Sequence, residues 1–367
     1  MIKIVGDIIL DKWVNGEYSK YSPEAPVKIL EQLNVSYNLG GAANVAANIR
    51  EYDKDVKLYG SIANDYSGKK IISLLNEKKI KNYLSKKLNI TTTKTRLTKK
   101  NGKHILRIDQ EEISNSKQIE NNLIKNLKKN DLILIVDYKK GLITKDLFNK
   151  IFSINKKIYV DPKNKPNFYN GAYLVKPNMK RVIQWIGNFN KKNCFKLLKK
   201  NNWEWLIVTD GPKGVHIFNK QNYYKRILVK TKNLKDVSGA GDTFLATLAY
   251  FNNIGLDIPQ ACKMAAKAST KVVEKIGVKT VEKNELLFNK VFTNGVFDLL
   301  HKGHYELFKF CKKIGKELIV GINSDLSVKK IKGNARPINN LKKRIFNLKK
   351  IKEIKKIIFF KKKNSIR

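Results

Sequence analysis

Short apolar runs alternate along the chain with amphipathic stretches. The run Leu132–Val136 is apolar at every position, as in a strand of a parallel sheet that is covered on both faces. Repeated alternation of such runs with helix-like stretches predicts a doubly wound α/β domain. The predicted strands are Ile2–Val5, Val27–Leu33, Val56–Tyr59, Leu132–Val136, Ile158–Val160, Ala172–Val175, Trp205–Val208 and Val215–Phe218. The predicted helices are Ala42–Glu51, Gly68–Lys79, Gln118–Lys128, Lys145–Phe152, Ala240–Asn252 and Ile258–Ile276.

Residues 92–109 have a different pattern, with strand-like runs on either side of Asn101-Gly102. Asn-Gly between two such runs is a strong hairpin signal. Together with Pro26–Leu33, this hairpin would form a small sheet. We predict that the small sheet is a lid over a ligand site of the α/β domain.

The strand–helix rhythm is lost around residues 281–289, and a new strand-like run begins at Lys290. We therefore predict two domains, residues 1–288 and residues 289–367. A linker of only a few residues would keep them close together.

The chain is strongly basic, with 75 Lys and Arg against 31 Asp and Glu and a formal net charge of +44. Such a charge invites a nucleic-acid interpretation. Nearly all the basic residues, however, are lysines spread through every segment. Arginine, which is better suited to bidentate contacts with bases and phosphates, occurs at only eight positions. We therefore expect well-solvated surfaces, and a nucleic-acid partner is an alternative supported by charge alone.

The three cysteines, Cys194, Cys262 and Cys311, lie far apart without metal-site spacing, which indicates a reducing compartment. No apolar run approaches the length of a membrane span. The acids Asp7 and Asp11 interrupt the N-terminal segment, which is therefore unlike a signal peptide. We expect a cytoplasmic protein that does not associate with membranes.

The stretch Asp236–Phe244 carries the sharpest chemical signal of the first domain. Gly239 and Gly241 flank Ala240 just before a predicted helix. Glycines at a helix N-terminus let backbone N–H groups point at an anion. Asp242 would stand beside a transferred phosphate, where it could accept a proton from an attacking hydroxyl. The alternative is a tight helix entry in which Asp242 is only an N-terminal cap.

A second glycine-rich helix entry is Gly40-Gly41, followed by Asn44. Paired glycines permit the close approach of a polar ligand, and the Asn44 amide is both donor and acceptor. Close packing of a helix against a strand would explain these glycines equally well.

Polar residues also follow several predicted strands. Asp7 and Asp11 bracket the end of the first strand, where doubly wound sheets bind ligands. Residues 161–163 and 176–178 follow two further strands. Each of these segments could also be an ordinary turn.

Taken together, Val5–Asp7, Gly40–Asn44 and Asp236–Phe244 make residues 1–288 resemble the ribokinase-like (PfkB) carbohydrate kinases. Within that family the sequence is most similar to the heptose 7-phosphate kinases of lipopolysaccharide-core biosynthesis. This closer resemblance depends on four stretches, namely Val5–Asp11, Ser22–Val27, Leu106–Asp109 and Asp137–Gly141.

The resemblance implies roles for individual residues. Asp242 is then the catalytic base, and the anion hole is formed by Gly239, Ala240 and Gly241. The candidates for holding the sugar phosphate are Asp7, Asp11, Gly40, Gly41, Asn44 and Arg107. The segment expected to bind ATP consists of Asn178, Met179, Lys180 and Arg181. ATP and Mg²⁺ are the implied cofactors.

One position departs from the family pattern. The family usually has Asn-x-x-Glu in its nucleotide-binding segment, where the Glu helps to organise Mg²⁺ and its water. This chain has Arg181 in place of the Glu, which reverses the local charge. We expect weaker positioning of Mg²⁺ and a slow kinase, although nucleotide phosphates and water often hold most of the Mg²⁺ coordination.

Two of the four histidines, His301 and His304, lie three positions apart in the stretch Phe292–His304. An apolar run ends just before them and a helix is predicted to begin after Gly303, so both imidazoles could face one anion. They could instead be metal ligands, but only Asp298 is near enough to add to the set. Ordinary structural histidines are the third interpretation. We favour phosphate binding and expect no metal site.

The second domain resembles nucleotidyltransferases of the cytidylyltransferase-like superfamily, whose His-x-Gly-His motif contacts nucleotide phosphates. Gly321–Asp325, Lys332-Gly333 and Arg336–Ile338 continue this resemblance. It implies a partial Rossmann-like domain, like the adenylyltransferase half of bifunctional heptose kinase/adenylyltransferases. About half of the family's domain is not found here, so we expect truncation and little formation of ADP-heptose.

We therefore expect a carbohydrate kinase that uses ATP to phosphorylate D-glycero-D-manno-heptose 7-phosphate at O1, giving the 1,7-bisphosphate. It is fused to an adenylyltransferase module for heptose 1-phosphate whose activity is in doubt. The expected partners are a sugar phosphate, ATP and a second copy of the chain in a homodimer. A PfkB kinase for another sugar and a non-catalytic sugar- or nucleotide-binding protein are the alternatives.

Overall fold

The computed structural model describes residues 1–100, 102–229 and 233–360. The chain forms two compact units, Met1–Glu282 and Lys283–Arg367. This division lies close to the boundary expected after residue 288, and the assignment of functional domains to residues 1–288 and 289–367 stays a prediction.

Strands and helices alternate through the first unit. Its strands are β1 (Ile2–Gly6), β2 (Ile8–Tyr21), β3 (Lys28–Gly41), β4 (Val56–Ala63), β5 (Lys81–Leu88), β6 (Thr93–Lys99), β7 (His104–Gln110), β8 (Leu132–Val136), β9 (Ile158–Asp161), β10 (Leu174–Val175), β11 (Trp205–Thr209), β12 (Val215–Asn219) and β13 (Tyr224–Ile227). Its helices are α1 (Ala42–Tyr52), α2 (Tyr66–Glu77), α3 (Lys117–Asn126), α4 (Lys145–Ile154), α5 (Met179–Ile186), α6 (Lys191–Lys200), α7 (Ala240–Asn253) and α8 (Ile258–Val273). Short 3₁₀ turns occur at Pro166–Tyr169 and Gly211–Lys213.

Nine strands form the large sheet of this unit, in the order β13-β12-β11-β10-β9-β8-β1-β4-β5. The strands from β11 to β5 run parallel, whereas β12 and β13 are antiparallel additions at one edge. Ile133 and Ile135 on β8 belong to a buried core that includes side chains of α3, α4, α5 and α6. Because side chains alternate along a strand, Leu134 points to the opposite face, where α7 packs against β8. The predicted doubly wound α/β fold is therefore confirmed.

The predicted lid is present as a four-stranded sheet in the order β3-β2-β6-β7. β6 and β7 form the expected antiparallel hairpin. Gly102 has a φ of +83°, a backbone conformation that glycine adopts without strain. Asn101, the other half of the turn signal, lies outside the described residues.

The sequence pattern missed β2, the strand that connects the two sheets of the first unit. β1 ends at Gly6 and β2 begins at Ile8, so Asp7 alone separates a strand of the large sheet from a strand of the lid. The hydrophobic pattern continues through both strands, since both are buried at this point. Only tertiary packing decides that the chain changes sheets at Asp7.

The second unit contains a three-stranded parallel sheet in the order β14-β15-β16. Its strands are β14 (Phe288–Gly295), β15 (Gly315–Asn323) and β16 (Ile354–Phe360). Its helices are α9 (Lys283–Leu286), α10 (Lys302–Ile314), α11 (Asp325–Lys332) and α12 (Leu341–Lys349). Phe308 of α10 and Leu348 of α12 pack with Val320 and Ile322 of β15 in a buried core. The arrangement agrees with the expected Rossmann-like architecture.

Arg344 on α12 is fully buried and ties together several loops of the second unit. Its Nη1 donates to the carbonyl of Val296 (2.7 Å), and its Nε donates to the carbonyl of Asn339 (3.1 Å). Its Nη2 donates to the carbonyl of Asn323 (2.8 Å) and to Asp325 Oδ1 (2.6 Å). A buried guanidinium with several acceptors is stabilised by them, and its replacement leaves buried carbonyls without a donor.

We expect Arg344→Met to destabilise the second unit by about 3 kcal/mol. Hydrogen–deuterium exchange of β15 peptides, followed by mass spectrometry, measures the effect within this unit. The matched control is Lys343→Met, because Lys343 is exposed on the same helix. Exchange in Arg344→Met as slow as in the Lys343→Met control would contradict the stabilising role of Arg344.

Candidate functional site

Polar residues of the first unit gather where its parallel strands end. β1 ends immediately before Asp7, β8 ends immediately before Asp137, and β9 ends at Asp161. The carboxyl ends of parallel strands share one edge of the sheet, where doubly wound folds bind ligands. Tyr138, the residue after Asp137, makes a hydrogen bond to Asp242 in the first turn of α7. The N-terminus of α7 therefore meets this edge.

Asp242 is buried, with 4% of its surface exposed. The Asn44 side-chain amide donates to its Oδ2 (3.0 Å), and the Tyr138 hydroxyl donates to its Oδ1 (3.0 Å). Gly239, not Asp242, is the N-cap of α7, and no side-chain hydrogen bond caps the helix. The simple capping interpretation of Asp242 is therefore wrong.

Burial raises the pKa of Asp242 from 3.8 to about 7. The hydrogen bonds from Asn44 and Tyr138 lower the pKa, and the negative charge of Asp161 raises it. A carboxyl group with a pKa close to neutral can exchange a proton with a substrate hydroxyl at physiological pH. The geometry and the environment of Asp242 both suit general-base chemistry.

The glycines before α7 differ in how strictly their positions require them. Gly239 has a φ of +77°, and a Cβ there would lie 2.9 Å from Asn44 Nδ2. A Cβ at Gly241 would make only ordinary contacts. The N–H of Ala240 donates to the carbonyl of Val237 at 3.3 Å, within the turn that precedes the helix. The role of Gly239, Ala240 and Gly241 as an anion hole stays a prediction.

A polar cavity of about 280 Å³ opens in front of this helix N-terminus. Three cations, Lys163, Lys176 and Arg181, line it together with Asp161 and Asp242. Lys176 is almost fully buried and pairs with Asp161 at 2.9 Å. Cations at a helix N-terminus attract negatively charged groups, so the cavity suits phosphates.

A second cavity, of about 180 Å³, adjoins the first and is mainly apolar. Thr209, Val237 and Gly241 line both cavities. An apolar cavity next to the polar, cation-lined cavity has the polarity expected of a nucleotide site. Its apolar walls are formed by Pro212, Val215, Val229, Leu234, Val237, Phe244, Ala266 and Val273.

The structure separates the four residues of the expected ATP segment. The Asn178 side chain accepts a hydrogen bond from the Arg181 N–H (2.8 Å) and caps α5. Arg181 Nη1 donates to the carbonyl of Lys163 (3.0 Å). Asn178 and Arg181 line the polar cavity, whereas Met179 packs against the hydrophobic core and Lys180 is exposed. The role of the segment in ATP binding stays a prediction.

Asp7 is buried beside this site, with 3% of its surface exposed. Its Oδ2 accepts hydrogen bonds from the backbone N–H groups of Tyr138 (2.7 Å) and Lys140 (3.2 Å). Among the described residues no donor reaches its Oδ1. Burial raises the pKa of Asp7 from 3.8 to about 7. A buried oxygen without a partner can accept a hydrogen bond from a ligand hydroxyl.

Asp11 and the paired glycines form a closely packed group next to Asp7. Arg96 of β6 donates to Asp11 Oδ1. A Cβ at Gly40 would lie 2.4 Å from Asp11 Oδ2. Gly41 has a φ of +56°, and a Cβ there would lie 2.5 Å from the carbonyl oxygen of Asp7. Packing alone therefore accounts for both glycines, and their role in sugar binding stays a prediction.

Arg107 lies on β7 of the lid and pairs with Asp109 at 2.8 Å. It is exposed, and with Arg96 and His104 it lines a cavity of about 570 Å³ between the lid and the segment 234–238. A second phosphate group of a substrate could reach these basic side chains. Asp242 does not line this cavity.

Tyr138 is a site residue to which sequence reasoning gave no role, whereas Lys163 and Lys176 were noted only for their place after two predicted strands. Tyr138 belongs to the stretch Asp137–Gly141, which carried part of the family resemblance, and the two lysines follow β9 and β10. Their position after strands was the available signal. Their convergence on one cavity depends on which strands are neighbours in the sheet.

The second unit brings its two histidines together, as expected. The His301 and His304 rings lie 3.9 Å apart between centroids, at the N-terminus of α10. The backbone N–H of His301 donates to His304 Nδ1 (3.4 Å). Burial, and then the neighbouring His301, lowers the pKa of His304. Both rings line a cavity of about 400 Å³ that also includes Lys332 and Arg336.

Asp298 has a structural role beside this cavity. Its side chain accepts hydrogen bonds from the N–H groups of Ile338 and Asn339, both at 2.8 Å, and pairs with Arg336 at 3.2 Å. Burial tends to raise the pKa of Asp298, but the two N–H donors and Arg336 hold it below its usual value. This carboxylate is thus committed to the loop that carries Arg336, which disfavours its use as a metal ligand.

Two further features concern the described residues as a whole. They contain no group of three or more His, Cys, Asp or Glu side chains arranged to hold a metal ion. No helix among them has the length and apolar character needed to cross a membrane.

Each of the two units matches a known protein family. Residues 4–284 match the pfkB family of carbohydrate kinases, and residues 292–367 match the cytidylyltransferase-like family. Phosphofructokinase-2 from Escherichia coli has a similar structure, with a TM-score of 0.67, 14% sequence identity and coverage of 78% of this chain and 96% of that chain. Ribokinase from Thermotoga maritima gives a TM-score of 0.63 at 18% identity, covering 78% of this chain and 97% of that chain. At these identities the likeness concerns the fold.

Curated relatives extend the match over both units. The bifunctional protein HldE of Nitratiruptor sp. is 32% identical and covers 98% of this chain and 87% of the relative. The bifunctional protein HldE of Campylobacter jejuni subsp. doylei is 35% identical, covering 92% of this chain and 80% of the relative. The chain thus belongs to the pfkB family of carbohydrate kinases and, across both units, to the family of bifunctional HldE proteins.

Proposed function

We propose that the first unit transfers the γ-phosphoryl group of ATP to O1 of D-glycero-D-manno-heptose 7-phosphate. The buried Asp242 carboxylate carries the proposal, because it lines the polar cavity and is connected to the acid Asp7 through Tyr138, which donates to both. Membership of the bifunctional HldE family supports a heptose phosphate over another sugar. A non-catalytic binding protein is not favoured, since the described residues supply both a base and a phosphate cavity.

ATP fits the two adjoining cavities by their chemistry. The apolar cavity would receive the adenine ring of ATP. The polar cavity would receive its phosphates beside Lys163, Lys176 and Arg181. The N-terminus of α7 supplies further positive potential at the same place. A γ-phosphate there would lie close to Asp242.

The sugar would bind on the lid side of Asp242. Asp7 Oδ1 is available to a sugar hydroxyl, since Oδ2 is already held by two backbone N–H groups. Arg96, His104 and Arg107 line the lid cavity and would face the sugar's own phosphate. In this arrangement O1 would be directed toward the Asp242 carboxylate.

The chemical step is a direct transfer. Asp242 accepts the proton of the O1 hydroxyl while O1 forms a bond to the γ-phosphorus and the bond from that phosphorus to the ADP oxygen breaks. Such reactions depend mainly on positioning and on neutralisation of phosphate charge. Lys163, Lys176 and the helix N-terminus would provide that neutralisation.

Mg²⁺ would be bound mainly by the nucleotide phosphates and water. Asp161, a carboxylate of the phosphate cavity, is paired with Lys176, and Arg181 adds a cation where the family usually has an acid. When bound, Mg²⁺ neutralises phosphate charge and orients the phosphates. The expected weakness of Mg²⁺ positioning stays a prediction.

For the second unit we propose binding of nucleotide phosphates and transfer of AMP to heptose 1-phosphate with release of pyrophosphate. The His301–His304 pair at the N-terminus of α10, with Lys332 nearby, supports phosphate binding. Assembly as a homodimer and a cytoplasmic location also stay predictions.

We expect Asp242→Asn to reduce formation of the heptose bisphosphate by about a hundred- to ten-thousand-fold, the range typical of a lost general base. An amide of the same size cannot accept the O1 proton. Mass spectrometry of reactions with ATP, Mg²⁺ and heptose 7-phosphate measures the product. Asp55→Asn, a change at an exposed position, is the control, and undiminished turnover in Asp242→Asn would reject the assigned role.

We expect kcat to rise with pH through about 7, because Asp242 acts in its deprotonated form and its pKa is about 7. Measurement with saturating substrates from about pH 5 to about pH 9 covers both sides of this transition. Asp7 has a similar pKa, so the residual activity of Asp7→Asn is measured in parallel. A transition that vanishes in Asp7→Asn would assign it to Asp7 and not to Asp242.

The proposed adenylyl transfer predicts that ADP-heptose forms when heptose 1-phosphate, ATP and pyrophosphatase are added. Mass spectrometry of the wild-type reaction checks this expectation. The matched variant is His304→Ala, which removes one ring of the pair. Product in the wild type that disappears in His304→Ala would support the proposal and assign adenylyl transfer to this cavity, whereas a wild type without product would contradict it.

A further inference from the structure

Tyr138 makes two contacts that connect the acids of the first unit. It lies just after β8, where Lys139 has a φ of +61° and Gly141 a φ of +87°. Its hydroxyl donates to Asp242 Oδ1 (3.0 Å), and its backbone N–H donates to Asp7 Oδ2 (2.7 Å). Tyr138 thus contacts Asp242 through its side-chain hydroxyl and Asp7 through its backbone N–H.

The surroundings of Tyr138 keep its hydroxyl protonated. Burial, and then the charge of Asp242, raises the pKa of Tyr138 well above 10.0. The ammonium groups of Lys94 and Lys163 lie 5.4 and 5.2 Å from its ring centroid. Cations over an aromatic ring stabilise its placement. The protonated hydroxyl can therefore donate to the ionised form of Asp242.

The two donors to Asp242 divide the carboxylate between them. The Asn44 side-chain amide donates to Oδ2 and the Tyr138 hydroxyl donates to Oδ1, both at 3.0 Å. With one donor on each oxygen, the carboxylate plane has a fixed orientation. Loss of either donor would free its rotation and remove a hydrogen bond that favours the charged form.

We propose that Tyr138 is a positioning residue whose hydroxyl orients the Asp242 carboxylate for proton transfer and favours its ionised form. The proposal rests on the proposed kinase function of the same site. Tyr138 acts through Asp242 and need not touch the sugar. The backbone contact to Asp7 is independent of the side chain and survives a Tyr-to-Phe change.

Tyr138→Phe tests this role, because it removes the hydroxyl and keeps the ring and the backbone N–H. We expect kcat to fall about ten- to a hundredfold, as for the loss of one hydrogen bond to a charged group. The KM for heptose 7-phosphate should stay nearly unchanged, since Asp7 keeps its backbone donors. The pH at which kcat is half-maximal should move upward by roughly one unit, because the ionised carboxylate loses a donor.

The matched control is Tyr52→Phe. The Tyr52 hydroxyl also makes a buried hydrogen bond to a side chain of α7, that of Thr247 (3.0 Å). A general loss of packing at α7 would lower kcat in both variants without moving the pH profile. An unchanged pH profile in Tyr138→Phe, or an equal effect in Tyr52→Phe, would overturn the proposal.

A measurement without turnover separates this proposal from the proposed function. The ¹³C carboxyl signal of Asp242, identified by its absence in Asp242→Asn, is titrated in the wild type and in Tyr138→Phe. An upward displacement of the titration in Tyr138→Phe supports the proposal even if heptose 7-phosphate is not the substrate. Superimposable titrations would overturn it, whatever the kinase assay shows.

Discussion

The buried carboxylate of Asp242 is the constraint on which the first unit depends. Transfer of an ionised carboxylate out of water is costly unless donors surround it, and here Asn44 and Tyr138 supply one hydrogen bond to each oxygen. Those two donors come from α1 and from the loop after β8, while the acid itself comes from α7. Three separate segments must therefore pack correctly before the carboxylate is satisfied. The same packing keeps the pKa of Asp242 near 7. The burial that accompanies folding therefore also makes the carboxylate suitable as a proton acceptor.

Cations line the polar cavity together with the acids Asp161 and Asp242. Lys176 is buried against Asp161, and Arg181 is held by the carbonyl of Lys163. These interactions fix the directions of the charged groups, which would lower the reorganisation needed for the proposed binding of a nucleotide. The adjoining apolar cleft is lined by residues 209–215, by the segment before α7, and by α7 and α8. Base and phosphates would thus be bound by elements that meet at the N-terminus of α7.

The second unit organises its cavity around a different buried charge. Arg344 binds the carbonyls that follow β14 and end β15, and Asp298 fixes the loop that carries Arg336. The histidine pair lies at the N-terminus of α10 and lines the same cavity as Val296, Asp298 and Arg336. Helix N-terminus, imidazoles and nearby basic residues all favour an anionic ligand. Neither Arg344 nor the structural role of Asp298 was identified from the sequence.

The sequence by itself determined the alternation of strands and helices, the hairpin of the lid and the family, and it singled out Asp242 as the candidate base. Hydrophobic periodicity and glycine-rich helix entries are local signals, so they can be read without knowledge of the fold. Only the tertiary structure decided that the chain changes sheets at Asp7, that Tyr138 and Asn44 meet on Asp242, and that Met179 faces the core while Arg181 faces the cavity. Strand order and side-chain direction decide such contacts. They depend on interactions between residues far apart in sequence, which no local pattern records.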